Sequence, residues 1–340
     1  MEVKNILQKL IAGQDLAFSE AKRLFSKIVL GQVSSAQAGA VLAALACKGE
    51  SVEELKALVE IMRREVLKVK VSRKYAGSLL DTCGTGGSRI RTFNISTCTA
   101  FVLAAAGVKV AKHGNRSASG VCGSADILES LGVNIKVPSW KVKQSIEKIN
   151  IGFLFAPLYH PALKNIAPVR KSLGVKTIFN LAGPLSNPAG VGFQVLGVYA
   201  PELVEKIASV LKELGVVRAF VFSSAEGVDE ITLSSTLTIA EVKKNRIKKF
   251  FLKPADFGLP KIKISAISVK TLEKNKEVFT NVLCGKKSVF RNVVLANAAA
   301  GLVLMAKARN WKQGVEIASF YLDKGLAWKK FEELKRFYSE

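Results

Sequence analysis

Residues 81–126 read DTCGTGGSRIRTFNISTCTAFVLAAAGVKVAKHGNRSASGVCGSAD. Three small-residue segments lie in this stretch: Gly84-Thr85-Gly86-Gly87-Ser88, His113-Gly114-Asn115-Arg116-Ser117, and 120–124. An apolar helical run, 97–106, separates the first from the second. Glycine lets a backbone turn through positive φ and approach a ligand closely. Backbone N–H groups in such loops and at helix N-termini cradle anions. Hydroxyls (Thr85, Ser88, Ser96, Thr97, Ser117) and cations (Arg89, Arg91, Lys112, Arg116) are interleaved with the glycines. One such loop is an ordinary connection in an αβ protein. Three of them together indicate a site for a phosphorylated ligand.

Around this stretch the chain alternates. Short β-prone runs at 78–80, 108–111, 152–155, 193–198 and 219–222 are separated by helical patterns at 97–106, 125–131, 140–149 and 201–214. This predicts an α/β domain with a mostly parallel central sheet flanked by helices, its ligands at the C-terminal ends of the strands. The loops starting at Cys83 and Lys112 both follow strands. Residues 1–70 instead carry four helical patterns, 3–11, 19–30, 36–47 and 52–67. Ser34-x-x-Gln37 and Ser51-x-x-Glu54 are capping-box starts, and Gly13, Gly31 and Gly49 mark helix ends. The expected organisation is a small all-helical domain, 1–72, and a larger α/β domain, 73–340. Pro161, Pro168, Pro184 and Pro188 set off two short helices, 162–169 and 175–181, in an excursion of about 162–186 that packs back on the helical domain. Residues 237–290 read as strand-rich and basic, and 291–335 as two or three helices.

The chain has 340 residues, 49% of them hydrophobic, enough for a substantial core. No apolar run approaches the roughly 20 residues of a membrane span, and Met1 is followed by Glu2 and Lys4 rather than a signal segment. The expectation is a cytoplasmic protein with no membrane contact. Five cysteines without C-x-x-C spacing argue against a disulfide framework or structural zinc, and they read as mostly packed thiols. The net charge is +24. The basic residues are dispersed, and the densest runs, 136–148, 243–253 and 261–287, lack interleaved aromatics. A solvated lysine-rich surface is expected, and nucleic acid is not expected as a partner.

His113 and His160 are the only histidines, each in a Gly- or Pro-rich setting, and spacing leaves both a structural and a ligand-facing role open. Neither has a neighbouring carboxylate that would make a general base. Asp229-Glu230 follows a strand, and adjacent carboxylates opposite a phosphate loop suit Mg²⁺ bridged to phosphates. Arg170, after Pro168-Val169, reads by spacing alone as a surface or salt-bridged arginine.

The order of motifs resembles the anthranilate phosphoribosyltransferases of tryptophan biosynthesis, over essentially the whole chain. The matching segments are Asp81-Thr82-Cys83-Gly84-Thr85-Gly86-Gly87, Phe93-Asn94-Ile95-Ser96-Thr97, Lys112-His113-Gly114-Asn115-Arg116-Ser117, 160–170, NLAGPLSNP at 180–188, and Gly227-Val228-Asp229-Glu230. The implied fold is the one shared with pyrimidine nucleoside phosphorylases. The implied reaction moves the 5-phosphoribosyl group of phosphoribosyl pyrophosphate to the amine of anthranilate.

By matched position, Gly84, Thr85, Gly86, Gly87, Asn94, Ser96, Thr97 and Lys112 would hold phosphoribosyl pyrophosphate, and Ser88, Thr92, Gly114 and Ser124 are further expected substrate-binding residues. Ser96, Asp229 and Glu230 would hold Mg²⁺, about two ions. Asn115 and Arg170 would hold anthranilate, with His113, His160 and Pro184 along its path, and a homodimer would form through the helical domain. A carboxylate substrate supplies Arg170 with the partner that spacing did not. Lys112 and Arg170 are the expected transition-state support. No catalytic base is required, because the aromatic amine is neutral at pH 7 and needs positioning more than activation. One departure stands out: the family's Asp-Gly after the glycine run is here Ser88-Arg89. Two other readings stay in view, a nucleic-acid-binding relative on the same fold and a pyrimidine nucleoside phosphorylase.

Overall fold

The computed structural model describes residues 3–88, 90–117 and 122–340. Four amphipathic helices open the chain: α1 (Val3–Ile11), α2 (Phe18–Val29), α3 (Ser35–Lys48) and α4 (Val52–Glu65). Both capping boxes form. The Ser34 hydroxyl accepts from Gln37 N, and Ser51 exchanges hydrogen bonds with Glu54. Glu54 is fully buried, and its charge is met by Lys48 at 3.0 Å and by Leu16 N. Gly13, Gly31 and Gly49 turn the chain at the helix ends with φ of 73°, 72° and 84°.

The α/β part then runs β1 (Leu80–Gly84), α5 (Ile95–Ala105), β2 (Val110–Gly114), α6 (Ser124–Ser130), α7 (Ser139–Ile149) and β3 (Ile151–Phe155). Next come three short helices, α8 (Ala156–Tyr159), α9 (Ala167–Leu173) and α10 (Ile178–Ala182), with 3₁₀ turns at Pro161–Asn165 and Gly183–Leu185. The chain continues through β4 (Phe193–Gly197), α11 (Leu203–Glu213), β5 (Arg218–Ser224), β6 (Leu237–Lys243) and β7 (Arg246–Leu252). It ends in α12 (Leu272–Leu283), α13 (Val289–Leu304), α14 (Trp311–Asp323) and α15 (Leu326–Ser339).

The seven strands form one sheet in the order β3-β2-β1-β4-β5-β6-β7. β1 to β5 are parallel, and β6 and β7 close one edge antiparallel. On one face lies α5, packed by α13 and α15. Phe101 makes edge-on contacts with Phe279 and Phe331, with ring centroids 6.0 and 5.4 Å apart. Each such ring, fully buried, contributes about 2–3 kcal/mol. The other face carries α11, whose apolar side is continuous with the core of the helical part. The segment from 161 to 185 crosses to α1–α4. Asn165 donates to the Val29 carbonyl at 2.9 Å, and Arg63 of α4 donates to the Leu185 carbonyl at 2.8 Å.

Three details differ from the sequence reading. β1 and β2 extend to Gly84 and Gly114, beyond the apolar runs, because pairing with neighbouring strands carries polar residues such as Asp81 and Lys112 into the sheet. The 237–290 segment is strand only to Leu252. Beyond it come 3₁₀ turns and α12, whose start is fixed by Thr271 accepting from Lys274 N. Among the cysteines Cys83 and Cys98 are buried, but Cys47 and Cys284 are exposed.

Candidate active site

Strand order reverses between β1 and β4, the place where open α/β sheets bind ligands beyond their C-terminal strand ends. There Gly84 pairs with Gly197. Both glycines are required by Asp229. A Cβ on Gly84 would strike the Asp229 carboxylate, and one on Gly197 would strike its backbone carbonyl. The 224–230 turn therefore lies directly against the ends of the two central strands. Thr85 N donates to the Gly197 carbonyl at 3.0 Å, and Gly86 and Gly87 then turn with φ of 67° and 77°. The loop is held from outside by Asp229. Oδ2 accepts from Gly86 N at 2.7 Å, and Oδ1 from the Ser88 hydroxyl at 2.5 Å.

Next to this loop, Ser96 in the first turn of α5 gives its N–H to Glu230 Oε1 at 3.1 Å. Burial, then the adjacent Asp229 charge, push the Glu230 carboxyl up to about 8. Lys112, in the middle of β2, is 4% exposed. Its ammonium reaches the Thr82 carbonyl at 2.5 Å and the Ser96 hydroxyl at 3.3 Å. A cation, two carboxylates, two hydroxyls and a turn of N–H groups thus meet at one strand edge.

The remaining expected residues are distributed around it. Asn94 caps the approach to α5 and bonds to Asn275 and Cys122, while Thr97 is buried with its hydroxyl toward Asn94 at 3.5 Å. Thr92 sits on a bridge to Ser268. Gly114 leaves room for Ser124 and Phe153, and Asn115 N donates to the Ser124 hydroxyl at 3.2 Å. Arg116 turns away to Asp126 and Glu129. Arg89 and residues 118–121, which include the start of the third loop, fall outside the described residues.

A second part of the cleft lies under the 161–185 segment. His113 and His160 face each other with ring centroids 5.2 Å apart. Burial lowers both: His160 to about 4, and His113 well below the ordinary histidine value. Both imidazoles are therefore neutral at pH 7, and among the described residues the Nε2 atom of each has no hydrogen-bond partner. Arg170 on α9 is half-buried over the Phe179 ring at 5.3 Å, and burial lowers its pKa. Among the described residues no carboxylate forms an ion pair with it. The Pro184 carbonyl accepts from Gln194 of β4 at 2.9 Å, pinning the far end of the segment to the sheet.

Two residues given no role from sequence hold these parts together. Asp81, fully buried inside β1, accepts from Asn187 Nδ2 at 2.8 Å and from His113 N at 3.3 Å. Asn187 also donates to the Ala111 carbonyl at 2.9 Å. The one available signal was an aspartate directly after the apolar run 78–80, at the start of the glycine-rich motif.

Known proteins resemble this chain over nearly its whole length. The family profile described as "Glycosyl transferase family, a/b domain" matches residues 76–328, and the one described as "helical bundle domain" of the same family matches 4–66. The anthranilate phosphoribosyltransferase of Persephonella marina is 44% identical over 336 residues, 98% of each chain. The chain belongs to the anthranilate phosphoribosyltransferase family. The crystal structure of the Thermus thermophilus member superposes with a TM-score of 0.92 at 38% identity, covering 100% of both chains. The Saccharomyces cerevisiae member, solved in complex with phosphoribosyl pyrophosphate and Mg, superposes at 0.90 with 26% identity over 99% of this chain and 98% of its own. Within this family frame the convergence of loop, Lys112 and carboxylates is the candidate active site.

Proposed function

We infer that the protein transfers the 5-phosphoribosyl group of phosphoribosyl pyrophosphate to the amine of anthranilate, giving N-(5-phosphoribosyl)anthranilate and pyrophosphate. The observation that carries this is the meeting of Lys112, the glycine turn and Asp229-Glu230 at the β1/β4 reversal. The N–H groups of the turn and the Lys112 ammonium suit the charge that gathers on a departing pyrophosphate. The neutral His113 and His160 and the half-buried Arg170 suit an aromatic acid: uncharged rings beside its ring, and a guanidinium for its carboxylate. Its amine already carries a lone pair, so the protein's task is to hold it against C1 of the ribose.

The donor set fits Mg²⁺. Hard oxygens are supplied by Asp229, Glu230 and Ser96, and the Glu230 carboxyl, raised first by burial and then by the neighbouring Asp229 charge, is a group whose charged form a divalent cation would stabilise. About two ions would accompany the substrate, where their chemistry is to neutralise charge on the pyrophosphate oxygens. We take residues 1–72 as the helical domain, with the 162–186 excursion packing on it, and 73–340 as the catalytic domain. The exposed Ile11 and Leu30 of the helical part suit a homodimer contact there. No described helix is long and apolar enough to cross a membrane, and we assign the protein to the cytoplasm.

The test is direct. Protein mixed with phosphoribosyl pyrophosphate, Mg²⁺ and anthranilate should quench anthranilate fluorescence in proportion to protein concentration. A stable signal at every concentration refutes the assignment. Phosphorolysis of thymidine in its place would identify a nucleoside phosphorylase.

A further inference from the structure

We propose that Ser88 is a positioning residue that latches the glycine loop onto Asp229 and hands that carboxylate to the cation when the phosphorylated substrate arrives. The proposal rests on the reading of this cleft as the site for Mg²⁺ and phosphoribosyl pyrophosphate.

Three hydrogen bonds join the loop to one residue. Gly86 N–H donates to Oδ2 at 2.7 Å, the Ser88 hydroxyl donates to Oδ1 at 2.5 Å, and Asp229 N–H returns a bond to the Ser88 oxygen at 3.1 Å. Two of the three run through Ser88. Gly86 and Gly87, at positive φ, make the turn that brings both donors onto one carboxylate. Asp229 occupies the space that the missing Cβ atoms of Gly84 and Gly197 leave, packed against the strand backbone, so it cannot retreat toward the strands. Both of its oxygens are engaged by the loop. Glu230 is held differently, by Ser96 N–H from a rigid helix start.

A carboxylate has lone pairs left after two hydrogen bonds. A cation would nevertheless draw on the same charge as the two donors, so ligation of Asp229 would weaken the Ser88 hydrogen bond. The loop is then released as the cation and its phosphates arrive, which couples loop position to occupancy. An aspartate at position 88 could not act this way, since two carboxylates would repel where hydroxyl and carboxylate now bond. The latch is therefore specific to the hydroxyl of this chain.

Ser88→Ala and Ser88→Thr test it. In protein free of metal and substrate, hydrogen exchange at the Gly86 amide should quicken about tenfold in Ser88→Ala, the scale of a lost charge-assisted hydrogen bond. Calorimetric binding of phosphoribosyl pyrophosphate without anthranilate, repeated across Mg²⁺ concentrations, should show the half-saturating Mg²⁺ fall about three- to tenfold. Ser88→Thr, which keeps the hydroxyl, should restore both. Unchanged exchange in Ser88→Ala overturns the latch, and an unchanged or raised Mg²⁺ midpoint overturns the competition. Wild-type protein that binds no phosphoribosyl pyrophosphate at any Mg²⁺ concentration refutes the functional reading instead, and the metal-free exchange experiment still reports on the latch.

Discussion

Replacing Asp81 with asparagine should change how stability depends on pH. The carboxyl is fully buried in β1, and burial raises it from its ordinary 3.8 to about 6. Lys112, Asn187 and the backbone N–H groups of His113 and Thr82 pull the other way without cancelling the effect. With the folded pKa above the unfolded one, the folded chain binds the proton more tightly. This contribution to stability is full below about pH 4 and is lost as pH rises through about 6. A displacement of about two units, at about 1.4 kcal/mol each, is a loss of about 3 kcal/mol across that window.

In Asp81→Asn this pH term vanishes, and a constant penalty replaces it. The carboxylate offers separate oxygens to Asn187 Nδ2 and His113 N, but asparagine has only one acceptor. One donor then faces an NH₂ group, at a cost of about 1–3 kcal/mol. Urea unfolding of both proteins at intervals from pH 4 to pH 7, followed by far-UV circular dichroism, isolates the term, because the other titrating groups are common to both. The stability advantage of wild type should shrink by about 3 kcal/mol between pH 4 and pH 7. A difference that stays flat with pH would show that Asp81 is not the buried, elevated carboxyl described here.

Other outcomes follow from the same contacts. Arg170→Ala should raise KM for anthranilate about 10- to 100-fold with a smaller effect on phosphoribosyl pyrophosphate, read from steady-state fluorescence decay. An unchanged KM removes Arg170 from the acceptor site. Lys112→Met should lower kcat by at least about 100-fold while the fold, monitored by circular dichroism, survives. Gly197→Ala should destabilise by about 1–3 kcal/mol in denaturant and weaken Mg²⁺-dependent binding, since its Cβ displaces the Asp229 backbone. Ser88→Asp adds a third carboxylate beside Asp229-Glu230 and should make inhibition by excess Mg²⁺ steeper. Equal steepness in wild type and variant would refute that.

Much of this protein is legible in its sequence because the signals are local. Helical periodicity with Ser34 and Ser51 caps predicted α1–α4, and alternating apolar runs predicted the parallel sheet. Glycines followed by hydroxyls and Lys112 marked a phosphate site, and the ordered motifs named the family. Strand ends were misjudged because the residues there, Asp81-Thr82 and Lys112-His113, are polar and look like loop until a neighbouring strand pairs with them. The helix α12 was hidden in a lysine-rich stretch whose apolar face is defined only by what it packs against.

The resemblance grouped Asp229 and Glu230 with the glycine loop, but only the tertiary structure decided which distant atoms touch. Asp229 lies 143 residues from the Gly86 amide it holds, and Asn187 lies 106 from Asp81. Local spacing carries no record of such pairs. They exist because the crossovers put β4 beside β1, and because glycines at 84 and 197 let a carboxylate stand where any side chain would have excluded it.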